Sequence, residues 1–121
     1  MNPDQVPSES LAGLLSDAGL RPPRILTLAI TGACNLHCRH CWVDGGRPTS
    51  AAHVPAATLW RLLREFAHLG GAGVRLTGGE PLCHPAWRDL LQHSRKLGFA
   101  QLALQTNAAL ILDQEAAALA E

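Results

Sequence analysis

Apolar side chains recur along this chain in two alternating patterns. Leu59, Leu62, Leu63, Phe66 and Leu69 fall at positions i, i+3, i+4, i+7 and i+10, the stripe of a helix with one buried side. Pro55 suits the first turn of that helix, and Gly70 and Gly71 end it. A second stripe, Trp87, Leu90, Leu91, Ser94 and Leu97, is opened by Pro85 and closed by Gly98. Between the stripes lie short runs with no helical period. Ile25 to Thr31 (Ile-Leu-Thr-Leu-Ala-Ile-Thr) is nearly continuous in apolar character, as expected of a parallel strand covered on both faces. Val74 to Thr77 and Leu102 to Thr106 predict two further strands. Ser8 is placed to cap a short leading helix through Leu11, Leu14, Leu15 and Ala18, ended by Gly19, after which Pro22 and Pro23 turn the chain. Asp113 is placed to cap a last helix, still in progress at Glu121 with no stop signal.

Strand, helix, strand, helix, strand, helix is the order of βαβ units and a parallel sheet. The fold class expected is α/β. Residues 1–23 form an N-terminal tail and short helix, and residues 24–121 carry three β/α units, truncated at the C-terminus. A closed (β/α)8 barrel uses roughly 30 residues per unit, so this length makes only part of a TIM-type barrel. Its sheet has two edges unless something covers them. The C-terminal end of each strand carries the chemically distinctive residues, which is where parallel α/β folds place their sites.

Composition narrows the function classes. Ten Lys and Arg, nine of them Arg, balance ten Asp and Glu, and a formal charge of zero gives no bulk attraction for nucleic acid or an anionic membrane. The opening residues, Met1-Asn-Pro-Asp-Gln-Val-Pro, lack the basic region and apolar run of a secretory signal. No stretch approaches the roughly 18 consecutive apolar residues of a membrane span. Three clustered cysteines and one distant one fit a metal site in a reducing compartment better than a disulfide framework. The expectation is a soluble, cytoplasmic protein.

The cysteine cluster is the most specific feature of the chain. Cys34-Asn-Leu-His-Cys38-Arg-His-Cys41 follows the first strand directly, and Trp42 comes next. The spacing C-x3-C-x2-C supplies three thiolates and no obvious fourth. A [4Fe–4S] cluster normally takes four cysteines, one per iron, so a cluster held by three leaves one iron open to a ligand. Zinc completed by His37 or His40 is the alternative for the same residues, although structural zinc sites usually bring a second, distant ligand pair. Covalent haem attachment fails because residue 42 is Trp rather than His. At the end of the second strand stands Gly78-Gly79-Glu80-Pro81, whose glycines let the backbone approach a ligand closely. An ordinary Gly-rich β-to-α turn, with a carboxylate near a helix start, is the other reading. The third strand ends at Thr106-Asn107, where Asn also suits a simple turn.

Taken together, Thr31-Gly-Ala-Cys34-Asn-Leu-His-Cys38-Arg-His-Cys41-Trp42, Leu76-Thr-Gly-Gly-Glu-Pro81 and Thr106-Asn107-Ala108 resemble the radical S-adenosylmethionine (radical SAM) family. The resemblance runs from about Ile25 to Glu121, roughly the first half of that family's six-unit partial barrel, and Ala108 departs from the family's Gly. It implies that Cys34, Cys38 and Cys41 each ligate one iron of a [4Fe–4S] cluster and that the amino and carboxylate groups of SAM chelate the fourth. It further implies that Gly78, Gly79 and Pro81 line the SAM site with Glu80 near the ammonium, and that Trp42 and Asn107 lie beside the cofactor. The chemistry implied is one-electron cleavage of SAM to methionine and a 5′-deoxyadenosyl radical, which abstracts hydrogen from a substrate of peptide or tetrapyrrole type. Reduced ferredoxin or flavodoxin is the expected electron donor, and a second chain or second copy is expected to complete the barrel. The alternative is a truncated, non-catalytic iron–sulfur or zinc-binding remnant. Cys83 reads as a small buried hydrophobe; as a fourth cluster ligand it would close the open iron. His53, His68, His84 and His93 read as surface or helix-face residues without a role.

Overall fold

The computed structural model describes residues 8–47 and 52–120; the expected tail at 1–7, Pro48 and the terminal Glu121 lie outside them. Helix α1 (Ser8–Asp17) leads into β1 (Ile25–Thr31), α2 (Ala56–His68), β2 (Gly73–Gly78), α3 (Trp87–Lys96), β3 (Gln101–Leu104) and α4 (Asp113–Ala120), with a 3-10 turn at Pro81–Cys83. The strands form one parallel sheet in the order β1-β2-β3. The fold class is therefore α/β, a segment of TIM-type barrel wall with a helix after each strand.

Strand register explains where the core sits. Leu26, Val74 and Leu102 stand in one row across the sheet, and Leu28, Leu76 and Leu104 in another. Side chains alternate along a strand, so both rows share one face. Leu59, Leu63 and Phe66 of α2 and Trp87 and Leu90 of α3 belong to the same buried cluster. Phe66 stacks on Phe99 with ring centroids 5.8 Å apart. Each such burial stabilises the fold by about 1.5–3 kcal/mol.

The other face is open. Ile25, Thr27 and Ala29 of β1, Arg75 of β2 and Ala103 of β3 are exposed. The expectation that β1 is covered on both faces is thus corrected: its apolar run alternates in burial up to Ile30, and the outward places fall largely to small or polar residues. Alternation then breaks at a bulge, because Ala29 pairs with Thr77 but Thr31 pairs with Gly78. The extra residue leaves both Ile30 and Thr31 buried. On the outer edge of β1, Val54 N–H donates to Ile30 O at 2.9 Å and Gly32 N–H to Ala52 O at 3.0 Å. One of the two expected sheet edges is covered there, beside the cysteine segment.

Element boundaries differ slightly from the expected ones. Pro55 stands just before α2, and its carbonyl accepts from Thr58 and Leu59. Pro85 likewise precedes the start of α3 at Trp87. Gly70 and Gly98 end these helices with φ of 85° and 86°, the left-handed conformation in which Gly carries no Cβ penalty. Strand β3 stops at Leu104, although Gln105 N–H still donates to Leu76 O at 2.9 Å. At α4, Glu115 reaches back to the Leu112 N–H at 3.1 Å, and Arg88 of α3 donates to the same carboxylate at 2.8 Å. Among the described residues no helix is long and apolar enough to cross a membrane.

Candidate functional site

The C-terminal ends of β1, β2 and β3 are joined by hydrogen bonds beyond the strands themselves. Gly79 N–H donates to Thr31 O and Glu80 N–H to Ala33 O, each at 2.7 Å, so the Gly-Gly-Glu-Pro stretch stays paired with the chain leading into Cys34. A Cβ on Gly79 would strike the carbonyls of Gly32 and Ala33, and one on Gly78 would strike that of Thr31. Gly78 also has φ 151°, a conformation L side chains rarely adopt. Gly78 thus admits the end of β1, and Gly79 admits the backbone of the cysteine loop that follows it.

That loop, residues 32–47, contains no helix or strand beyond its turns. Thr31 Oγ1 accepts from Ala33 N–H at 3.0 Å and shares a 2.7 Å hydrogen bond with His53 Nδ1. Cys41 N–H donates to Cys38 O, and Gly46 N–H donates to Gly32 O, both at 3.1 Å. Gly45 sits at the centre: a Cβ there would lie 3.2 Å from Gly79 Cα, 3.3 Å from Cys34 Cβ and 3.6 Å from Cys41 Sγ. Cys34 and Cys41 are half-buried, Cys38 is exposed, and all are free thiols. Backbone N–H groups meet two of the sulfurs, Leu36 at Cys34 (3.5 Å) and Gly45 at Cys41 (3.2 Å). Three thiols on one loop, two of them met by N–H donors, fit a [4Fe–4S] cluster held by three cysteines. Among the described residues, no three His, Cys, Asp or Glu side chains gather to hold a single metal ion.

Glu80 is 1% exposed. Its Oε1 accepts from Thr106 Oγ1 at 2.6 Å and Leu82 N–H at 3.1 Å, while Oε2 accepts Asn107 N–H at 2.8 Å. A buried carboxylate needs such donors to offset its desolvation. Pro81 beside it is buried and opens the 3-10 turn. Asn107 is exposed, and its Nδ2 lies 3.0 Å from Asn35 Oδ1 and 4.0 Å from Cys34 Sγ. Among the predicted residues, then, Cys34, Gly79, Glu80 and Asn107 are linked directly or through one neighbour. Trp42 is not: the residue is 92% exposed, which excludes the core aromatic that its type suggests.

Two residues behave differently from their sequence reading. His84, expected at a surface, is 2% exposed and bonded at both ring nitrogens. Its ring meets that of His53 edge-on, with centroids 5.2 Å apart. Cys83 is half-buried, and its thiol pKa is pushed above the ordinary 9.0 by burial first, then by the charges of Glu80 and Cys34; the Asn35 backbone hydrogen bond pulls the other way. Gly45 and Asn35 were legible only as loop residues, since nothing in their types announces contact with Gly79 or Asn107.

The sequence model of the radical SAM superfamily matches residues 28–121. A probable GTP 3′,8-cyclase of Methanothermobacter thermautotrophicus is 37% identical over 101 residues, covering 84% of this chain and 32% of that protein. The chain spans about a third of the length of this curated relative.

Proposed function

Because this chain belongs to the radical SAM superfamily, we propose that it carries the cluster-binding and part of the SAM-binding machinery of a radical SAM enzyme. Cys34, Cys38 and Cys41 would each ligate one iron. The Gly78–Pro81 stretch would receive the amino group of SAM through its backbone, with Trp42 and Asn107 beside the cofactor. When bound, the cluster would provide the one-electron reduction of SAM that yields methionine and a 5′-deoxyadenosyl radical for hydrogen abstraction. A reduced ferredoxin or flavodoxin would deliver that electron, and further β/α units would complete the barrel.

The pairing of Gly79 with Thr31 and of Glu80 with Ala33 carries this reading. It brings the motif after β2 within contact of the three-cysteine loop, with Gly45 between Cys34, Cys41 and Gly79. A cluster on the loop and a ligand on the motif would then be neighbours. The relative's name concerns GTP, but this chain covers only about a third of that protein's length. The function proposed is therefore radical generation rather than choice of target.

The test is anaerobic reconstitution with iron and sulfide, followed by EPR of the reduced protein with and without SAM. A [4Fe–4S] signal that changes on adding SAM is the expected result. No cluster, or a signal indifferent to SAM, would overturn the reading in favour of a non-catalytic remnant or a closed metal site.

A further inference from the structure

Past Gln105, whose N–H still donates to Leu76 O, the chain leaves its ladder with β2, yet its turn is held. Thr106 Oγ1 accepts from Ala108 N–H at 3.0 Å and donates to Glu80 at 2.6 Å. Asn107 N–H donates to the other carboxylate oxygen. The Asn107 amide is oriented in turn, because Oδ1 accepts from Ala109 N–H at 3.0 Å. Only Nδ2 is left to face the cysteine loop, where it meets Asn35 Oδ1 and Cys34 Sγ. Glu80 itself has donors on both oxygens and almost no exposure, so a ligand ammonium would have to displace this turn to reach it. N–H donors facing a cysteine sulfur stabilise the more negative, reduced state of an iron–sulfur cluster and so raise its potential.

We propose that Glu80 is a positioning residue whose buried carboxylate holds the Thr106–Asn107 turn, so that the Asn107 amide faces Cys34 Sγ and raises the reduction potential of the cluster, an inference that rests on the cluster reading above. Glu80 acts through Asn107, not by contact with SAM. Its own negative charge has the opposite sign of effect, lowering the potential.

The experiment is an EPR-monitored redox titration of the reconstituted protein without SAM, on the parent, Asn107→Ala, Glu80→Gln and the double variant. Asn107→Ala removes an exposed side chain and keeps the backbone bond to Glu80. It is expected to lower the reduction equilibrium constant several-fold, tenfold corresponding to about 59 mV for one electron. Glu80→Gln is expected to shift the potential differently in the two backgrounds, because its positioning effect vanishes once the amide is gone and only the charge effect is left. An unchanged potential in Asn107→Ala, or an identical Glu80→Gln shift in both backgrounds, overturns the inference while leaving the cluster reading intact. A parent that assembles no cluster overturns both. If Glu80→Gln does not fold, Thr106→Val replaces it in the cycle, since it loosens the same carboxylate and keeps the charge; a fall in potential that needs Asn107 is then expected, and no fall overturns the inference.

Discussion

His84 donates through Nε2 to the carbonyl of Val54 at 2.7 Å and accepts the Ala86 N–H through Nδ1 at 3.0 Å, which defines the Nε2–H tautomer. One imidazole thereby ties the segment that covers the edge of β1 to the entry of α3. His84→Ala would open a cavity and strand both backbone groups. The expected loss is about 2–4 kcal/mol, read as a lower urea midpoint at constant slope. His84→Asn, which can still accept from Ala86, is expected to lose less. Equal stability of parent and alanine variant would refute this role.

Gly79 is constrained by contact rather than by helix ending. A Cβ there would lie 2.7 Å from Gly32 O and closer still to Ala33 O, both backbone atoms that cannot swing away. Gly98, by comparison, has φ 86° and nothing within 4 Å of such a Cβ. Gly79→Ala is expected to cost about 2–4 kcal/mol and to part the cysteine loop from β2, whereas Gly98→Ala should cost only about 1 kcal/mol. Paired thermal melts, with iron content after reconstitution, check both expectations.

Ala108 has φ 63°, the left-handed conformation, in which its Cβ costs roughly 1–2 kcal/mol. Glycine would relieve that strain but adds freedom to the unfolded chain, a loss of about 0.4–1 kcal/mol. Ala108→Gly is therefore expected to stabilise the protein by about 0.5–1 kcal/mol. A fall in melting temperature would show that the turn is not strained.

The raised pKa of Cys83 has a definite sign in stability. The folded state keeps its thiol protonated at pH values where the unfolded thiol, near 9.0, ionises. Its contribution is fully present below pH 9.0 and is lost as pH climbs from there through the higher folded value. Iodoacetamide labelling of the metal-free protein, followed by peptide mass spectrometry, should show the Cys83 alkylation midpoint above that of the unfolded chain. A midpoint at or below 9.0 would contradict the burial and charge causes given for it.

Local chemistry was enough to determine the elements and to single out the candidate site residues. The helical stripes of α2 and α3 and the short apolar runs of β1 and β2 required no knowledge of contacts, because each pattern reflects which side of one element is buried. The three cysteines, the Gly-Gly-Glu-Pro stretch and the Thr-Asn strand end likewise stood out by spacing and type alone. Contacts between residues far apart in sequence were decided only by tertiary structure. The coverage of β1 on a single face depends on what packs against it, and the same apolar run would suit a strand buried on both sides. His84 reads as an ordinary polar residue until Val54, thirty positions away, is brought to its ring. Glu80 reads as a carboxylate near a helix start or beside a ligand ammonium until the end of β3 supplies Thr106 and Asn107 to its two oxygens. Periodicity and composition report the neighbours along a chain, whereas the partners of a buried polar group are set by the parallel crossover that aligns three strand ends.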